Sequence, residues 1–236
     1  MNDQTESDAR GPRPVATPAR HAGLLWAIAI GGVAIAYSPM WLPRIRDAFG
    51  LELGISGPAS SIVWNVIAVG ALLAYMGFVE RRPLASIGLR KPQGKQLEWA
   101  LYLFGAVMVW QWLVLTFVPP AEDRGTETIA SLPIIAVIGM IVSAAVFEEI
   151  LYRGYPIERL SELTGRRWIA FAITVPLFVA PHLVFFGVQW LWTAGVGTLA
   201  IYVLYAKTRN LPACMLLHLC VNLPILIPTI AHHTGG

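Results

Sequence analysis

The segment LPIIAVIGMIVSAAVFEEILYRGYPI, residues 132–157, is the part of the sequence that indicates the fold most clearly. It has no charged residue before Glu148 and Glu149, and Arg153 follows four residues later. Two carboxylates and a guanidinium therefore lie at or inside a membrane segment. A charged side chain near the bilayer centre costs about 2.5 to 3.5 kcal/mol, so we expect these residues to serve a function.

Apolar blocks of similar length recur along the 236-residue chain, in which 56% of the residues are hydrophobic and 13% are charged. A transmembrane helix needs about 20 apolar residues. We therefore predict an all-α fold, a polytopic membrane helical bundle of about seven transmembrane helices. The predicted spans are 22–42, 59–79, 98–118, 133–157, 168–187, 189–206 and 211–230.

The positive charges predict an orientation, because short loops rich in Lys and Arg stay in the cytoplasm. Of the 17 basic residues, 14 fall on one predicted side: three in the N-terminal tail, five in the loop after span two, four after Glu149 and two before span seven. The other side holds Arg44, Arg46 and Arg124. We expect a multi-pass protein of the cell inner membrane, with a cytoplasmic N-terminus and the C-terminus outside. This charge needs no nucleic-acid partner.

The chain is predicted to have two parts. Residues 1–20 are polar, mixed in charge and rich in proline, which is typical of a disordered cytoplasmic tail. Residues 21–236 form the transmembrane helical domain, with its polar motifs in 148–222. Tryptophans near the predicted span ends, including Trp168 and Trp190, are expected to anchor at the membrane interface. Gly195 and Gly197 are expected to allow close helix packing in span six.

Polar residues are concentrated in three spans at helical spacing. Glu149 and Arg153 are four residues apart, share a helix face and can form an ion pair. His182 follows Phe178 by four residues in span five, and Asn222 follows His218 by four in span seven. For these residues to meet, span four must extend to about residue 157. Pro176 and Pro181 predict a kink in span five.

Each polar residue also has an ordinary structural interpretation. Arg153 could be a positive-inside residue of the cytoplasmic boundary, and an intramembrane histidine is often a hydrogen-bonding bridge between helices. Asn222 could hold helices together in the same way. Taken together, two Glu, two His, an Asn and an Arg on three spans favour a functional site.

The segments EEILYR, FVAPH and HLCVN resemble the three motifs EExxxR, FxxxH and HxxxN of the CPBP intramembrane proteases. That family includes the type II CAAX prenyl endopeptidases and bacteriocin-immunity-like proteins. The order and spacing also match. ERRPLASIGLRKP, residues 80–92, is similar to a loop common upstream of the motifs, so the resemblance covers roughly 59–230.

The resemblance implies an intramembrane glutamic endopeptidase of the CAAX prenyl protease type. Glu148 would be the general base that activates a water, and His182 would help to hold that water. His218 and Asn222 would donate hydrogen bonds to the oxyanion. Glu149, held by Arg153, would orient the site. The partners would be the lipid bilayer and a peptide or membrane-protein substrate, CAAX-like or otherwise membrane-associated.

Two alternatives stay open at this stage. Glu148, His182 and His218 could form a zinc site of the two-His, one-carboxylate type, although the chain has no HExxH and the metal-free reading is preferred. The same polar cluster could also serve a protein that is not an enzyme, such as a proton-coupled transporter or an immunity or scaffold protein. The absence of an inverted repeat argues against a transporter.

Overall fold

The computed structural model describes residues 19–50, 57–118 and 124–234. These residues form helices and connecting turns, with no β-strand among them. Six helical segments are long and apolar enough to cross a membrane: Ser60–Glu80, Gly94–Phe117, Ile134–Thr164, Arg167–Phe186, Val188–Thr208 and Leu211–Thr234. The predicted all-α, polytopic membrane bundle is confirmed. The predicted tail, residues 1–20, falls almost wholly outside the described residues.

The first predicted span, residues 22–42, is not one straight helix. The chain forms α1 (Ala19–Ala36) and α2 (Ser38–Ala48), which meet at an angle of 69° beside Tyr37. Pro39 lies in the first turn of α2. Proline has no amide hydrogen and disfavours a helical residue before it, so the hydrogen-bond ladder breaks here. The described part of the chain therefore has six candidate spans, or seven if this bent pair counts as one.

The next two spans are α3 (Ser60–Tyr75), which continues as a π-helical turn Met76–Glu80, and α4 (Gly94–Phe117). A 3₁₀ turn, Leu84–Ile87, lies in the loop between them. Most residues of helix α4 are exposed, along its whole length. In a protein that spans a membrane, such an apolar exposed face lies against lipid.

The central span is a single helical run that includes α6 (Ile134–Ser143), a π-helical segment (Ala144–Gly154) and α7 (Tyr155–Thr164), after a short α5 (Arg124–Ala130). The run ends at Thr164, beyond the predicted residue 157. The Tyr155 amide donates to the Ile150 carbonyl, five residues back, as in a π-helix. Pro156 follows at once and offers no amide hydrogen, so the α-helical ladder cannot continue unbroken through this point.

The remaining helices surround this central run. They are α8 (Arg167–Phe186), α9 (Ala194–Thr208), α10 (Leu211–Asn222) and α11 (Leu226–Thr234), with 3₁₀ turns at Val188–Leu191 and Leu223–Ile225. The π-helical segment packs against α3, α6 and α10, and α7 packs against α1 and α8. Pro176 and Pro181 both lie inside α8, which is one continuous helix.

Candidate active site

The three predicted motifs meet around Glu149. The π-helical segment carries Glu149, and α10 brings His218, whose Nδ1 lies 2.7 Å from Glu149 Oε1. Gly154, at the end of the segment, packs against Leu211, the first residue of α10. Glu149 and His218 lie five and seven residues beyond this contact, so the two helices deliver them to the same level.

Glu149 and Arg153 form the predicted ion pair, and both side chains are fully buried. Arg153 Nη1 donates to Glu149 Oε1, the same oxygen that faces His218. The Arg153 guanidinium also lies over two aromatic rings, 4.6 Å from the centroid of Phe178 and 4.3 Å from that of Tyr202. The ring faces stabilise the cation where water is excluded. The carboxylate of Glu149 is thereby held in one position.

Glu148 has quite different surroundings. Its side chain is partly exposed, and no described residue donates a hydrogen bond to it. It interacts electrostatically with His182 and with Arg153. Adjacent residues of the same helix thus present one immobilised carboxylate and one available carboxylate.

His182 projects from α8 near the end of the helix. Its Nδ1 lies 2.8 Å from the Phe178 carbonyl oxygen. Since a carbonyl only accepts, Nδ1 carries the hydrogen, and in the neutral ring Nε2 holds the lone pair. His182 also interacts electrostatically with His218, so the two histidines and Glu148 act within one site.

His218 and Asn222 differ in what they contact. The Nδ1 side of the buried His218 ring is directed at Glu149, which leaves Nε2 for other contacts. Asn222 is the last residue of α10, is partly exposed, and has no hydrogen-bond partner among the described residues. Its amide is therefore available to a ligand.

The proposed zinc ligands are not assembled as a metal site. Within the described ranges, no group of three or more His, Cys, Asp and Glu side chains is arranged to hold a metal ion. His218 and His182 each use Nδ1, on Glu149 and on the Phe178 carbonyl, and each keeps Nε2 for another contact. The mechanism proposed for this site uses the side chains alone, and the zinc alternative stays a matter for experiment.

Residues 130–224 match the family model described as Type II CAAX prenyl endopeptidase Rce1-like. The predicted resemblance is confirmed over this segment. The matched segment contains all three motifs, and the match indicates intramembrane protease activity in a multi-pass membrane protein. No curated protein and no solved structure matches the chain.

Aromatic residues that the sequence analysis missed line this site. Tyr152 packs between Tyr37, at the bend before α2, and Phe178, with ring centroids 5.2 and 5.7 Å apart. Tyr202 of α9 stacks on Arg153, and its hydroxyl donates to the Thr174 carbonyl. Tyr152 lies within the first motif, whereas Tyr37 and Tyr202 have no sequence spacing that relates them to the motifs, so only the fold reveals these two. Tyr37 lies outside the Rce1-like segment and still reaches the site.

Trp190 was predicted to anchor at the membrane interface, and this is wrong. Only 5% of its surface is exposed, and its indole stacks on the His182 ring. Trp168, in contrast, is 64% exposed at the start of α8, as an interfacial tryptophan should be. Gly195 and Gly197 do allow close packing, against Trp190 and Val221 respectively.

Arg159 was counted among the loop charges, and the structure corrects this too. It is buried in α7, where it donates to both carboxylate oxygens of Glu80 and to the Ser86 hydroxyl. Tyr155 also donates to Glu80, at 2.6 Å. Glu158 of the same helix pairs with Arg209 and accepts from Tyr205. The buried Arg159–Glu80 pair ties the central helix to the π-helical turn that follows α3, and the Glu158–Arg209 pair, in which Arg209 is half exposed, ties it to the end of α9.

Proposed function

We propose that the protein is an intramembrane glutamic endopeptidase in which Glu148 activates the attacking water. The observation that carries this proposal is the different state of the two adjacent glutamates. Glu149 is buried and held by Arg153 and His218, whereas Glu148 is partly exposed and accepts no hydrogen bond from the described residues. A general base must be free to take a proton, and Glu148 meets that condition.

His182 is the second group that we assign to the water. With its hydrogen on Nδ1, Nε2 can accept a hydrogen bond from the water while Glu148 accepts the other. Two acceptors on its two hydrogens leave the oxygen lone pair free to attack. The electrostatic interaction between Glu148 and His182 supports this shared role.

The reaction then follows in two steps. Glu148 takes a proton from the water as the oxygen bonds to the peptide carbonyl carbon, and the carbonyl oxygen becomes negative. The donors that we assign to that oxyanion are the Asn222 amide and the Nε2–H of His218 in its imidazolium form, in which Nδ1–H stays on Glu149. The carbon–nitrogen bond breaks, and Glu148 returns the proton to the leaving amine. Arg153 acts indirectly, by holding Glu149 and through it His218.

The substrate class that we propose is a membrane-associated or CAAX-like peptide. This rests on the family match and on a site formed between membrane helices. The chemistry acts on a peptide bond and does not require the prenyl group, so prenylated and unprenylated peptides must be compared.

The test is cleavage by the purified full chain in lipid nanodiscs. The substrates are an internally quenched CAAX peptide with a farnesylated cysteine, the same peptide without farnesyl, and an unprenylated peptide library. Glu148→Gln should lower turnover by about 10²- to 10⁴-fold, because it removes the general base. Glu98→Gln, on the exposed face of α4, is the matched control and should keep the wild-type rate.

Retention of more than about a tenth of wild-type turnover in Glu148→Gln would remove Glu148 from the role of base. A wild-type protein that cleaves none of the three substrates favours the non-enzymatic alternative, a transporter or an immunity or scaffold protein that uses the same polar cluster.

A further inference from the structure

We propose that Trp190 is a positioning residue that fixes the imidazole of His182 in the orientation needed to hold the attacking water. The inference rests on the proposed role of His182. It adds a residue that lies outside the three motifs and that does not itself touch the substrate.

The contact between the two rings is close and nearly parallel. Their centroids lie 4.7 Å apart and their planes differ by 27°. Trp190 is the only buried residue of the turn Val188–Leu191, while Val188 and Leu191 are 61% and 44% exposed. A tryptophan that anchored the chain at the membrane interface would be exposed, as Val188 and Leu191 are. The turn instead directs its one large buried ring to His182.

Two glycines build this arrangement. Gly187 ends α8 with φ +85, a left-handed conformation that favours glycine, and its carbonyl accepts from the Trp190 amide at 3.2 Å. The chain therefore folds back beneath the end of α8. Gly195, at the start of α9, packs directly on Trp190. A Cβ there would lie 2.8 Å from the Trp190 carbonyl oxygen and 3.2 Å from its ring.

The imidazole of His182 makes one hydrogen bond, so the ring can still tilt, and the contact with Trp190 restricts this tilt. The bond from Nδ1 to the Phe178 carbonyl sets which nitrogen carries the hydrogen. A ring held at one edge can still tilt about that bond, and a tilt moves Nε2 relative to Glu148. Phe178 contacts the same ring at 4.6 Å, but it belongs to the same helix as His182. Trp190 is the closest ring from a separate element and restricts the tilt.

The first experiment measures turnover of the farnesylated quenched peptide by Trp190 variants. A misplacement of about 1 Å at a reacting group can cost about 10²-fold in rate, so Trp190→Leu should lower kcat by about 10- to 100-fold with little change in KM. Trp190→Phe keeps a stacked ring and should recover most of the rate. Trp168→Leu changes an exposed tryptophan at the other end of α8, and this control should match wild type.

A mutant cycle separates positioning from a general structural effect. If Trp190 acts through His182, then Trp190→Leu should change single-turnover rates by less than about two-fold when His182→Ala is already present. An equal loss in both backgrounds would show that Trp190 acts through the fold, and would overturn the inference.

The second experiment needs no activity. Histidine labelled with ¹⁵N reports by NMR which ring nitrogen carries hydrogen, and His182→Ala assigns the signal. Trp190→Leu should shift and broaden the His182 signal, whereas Trp168→Leu should leave it in place. An unchanged His182 signal in Trp190→Leu overturns the positioning role alone. Wild-type turnover in His182→Ala instead overturns the proposed function, so the two failures are distinguishable.

Discussion

Glu148 and Glu149 carry the same side chain, so only their surroundings can give them different tasks. Glu149 Oε1 accepts hydrogen bonds from both Arg153 and His218, and the Glu149 side chain has no exposed surface. A buried ion pair of this kind adds little net stability, because desolvation of both charges opposes their attraction. Its effect is to fix position. We interpret Glu149 as the group that holds His218 beside the reacting carbonyl.

Removing one member of this pair should therefore destabilise the protein more than removing both. Glu149→Gln leaves the Arg153 charge buried without a counter-ion and should lower the free energy of unfolding by about 3 to 5 kcal/mol. The double variant Glu149→Gln with Arg153→Met removes the charge as well, and should recover most of that loss. Unfolding of purified protein in detergent measures both.

Measurements of activity on the same variants should differ from the measurements of stability. The double variant should stay inactive on the quenched peptide despite its recovered stability, since His218 has lost its partner. A double variant that is no more stable than Glu149→Gln would contradict the ion-pair account.

The zinc alternative makes a different prediction for the same residues. In the metal-free mechanism, His182→Ala and His218→Ala each lose hydrogen bonds, which costs about 10²- to 10³-fold in rate, and a strong chelator changes nothing. If His182 and His218 were zinc ligands, either substitution would also remove metal. Elemental analysis of active protein decides the question. Stoichiometric zinc that leaves together with activity on chelation would overturn the metal-free mechanism.

At the scale of the element, the π-helical segment Ala144–Gly154 is what presents the glutamates. A wider helical turn changes the angle between neighbouring side chains from that of an α-helix. In an α-helix, with 3.6 residues per turn, adjacent residues such as Glu148 and Glu149 point about 100° apart. The glutamates do diverge, but along a π-helix whose end is set by Pro156 and by the packing of Gly154.

Gly154 allows this segment to approach its neighbours. A Cβ at Gly154 would lie 2.5 Å from Leu211 Cδ1 and 2.8 Å from the Ile87 carbonyl oxygen, which is backbone and cannot easily move. Gly154→Ala should therefore destabilise the protein by about 1 to 3 kcal/mol, as overpacking does, and lower turnover by shifting Arg153. Thermal unfolding and peptide cleavage check both effects.

Gly105 offers the matched control for that substitution. It lies in α4 with no atom within 4 Å of an added Cβ. Gly105→Ala should leave activity unchanged and raise stability slightly, by at most about 1 kcal/mol, because alanine is the better helix former. Equal effects of the two substitutions would contradict the packing role of Gly154.

The sequence predicted the spans well where apolar length alone decides them, as in Gly94–Phe117 and Arg167–Phe186. It did not predict the bend at Tyr37, because Ser38 and Pro39 lie inside an apolar block whose hydropathy hides the break. It paired Glu149 with Arg153 correctly, since their spacing of four follows the helix period. It missed Tyr202 and the buried Arg159, whose partners come from elements distant in sequence, and it missed Trp190, whose partner His182 lies across the chain reversal at Gly187.

At the scale of the whole molecule, the basic residues form one face. Contacts across it join the loops: Arg82 pairs with Glu162, Asn210 Nδ2 donates to the Arg90 carbonyl, and Lys207 lies over Trp99. Nine exposed basic residues belong to this face: Arg81, Arg82, Arg90, Lys91, Lys95, Arg166, Arg167, Lys207 and Arg209. Arg153 and Arg159 are buried and therefore do not belong to this basic face. Arg46, near Trp64 at the start of α3, lies towards the other end.

This asymmetry predicts that the basic face is cytoplasmic. Alkaline phosphatase, which is active only in the periplasm, should be inactive when fused after Arg90 and active when fused after Gly236. A fluorescent protein that folds only in the cytoplasm should give the reverse pattern at both sites. Activity of the phosphatase after Arg90 would invert the orientation, and the side from which water reaches Glu148 would have to be assigned again.

A third fusion decides whether the bent pair α1 and α2 crosses the membrane. If it spans despite its 69° bend, residue 20 lies on the same side as the basic face, and phosphatase fused before it should be inactive. If the pair enters and leaves on one side, residue 20 lies opposite the basic face and the enzyme should be active. Arg44 and Arg46 follow the bend and remain outside in either case, so their weak positive charge does not decide between the two. The far larger charge of the basic face, together with the tail arginines Arg10, Arg13 and Arg20, favours seven crossings with a cytoplasmic N-terminus.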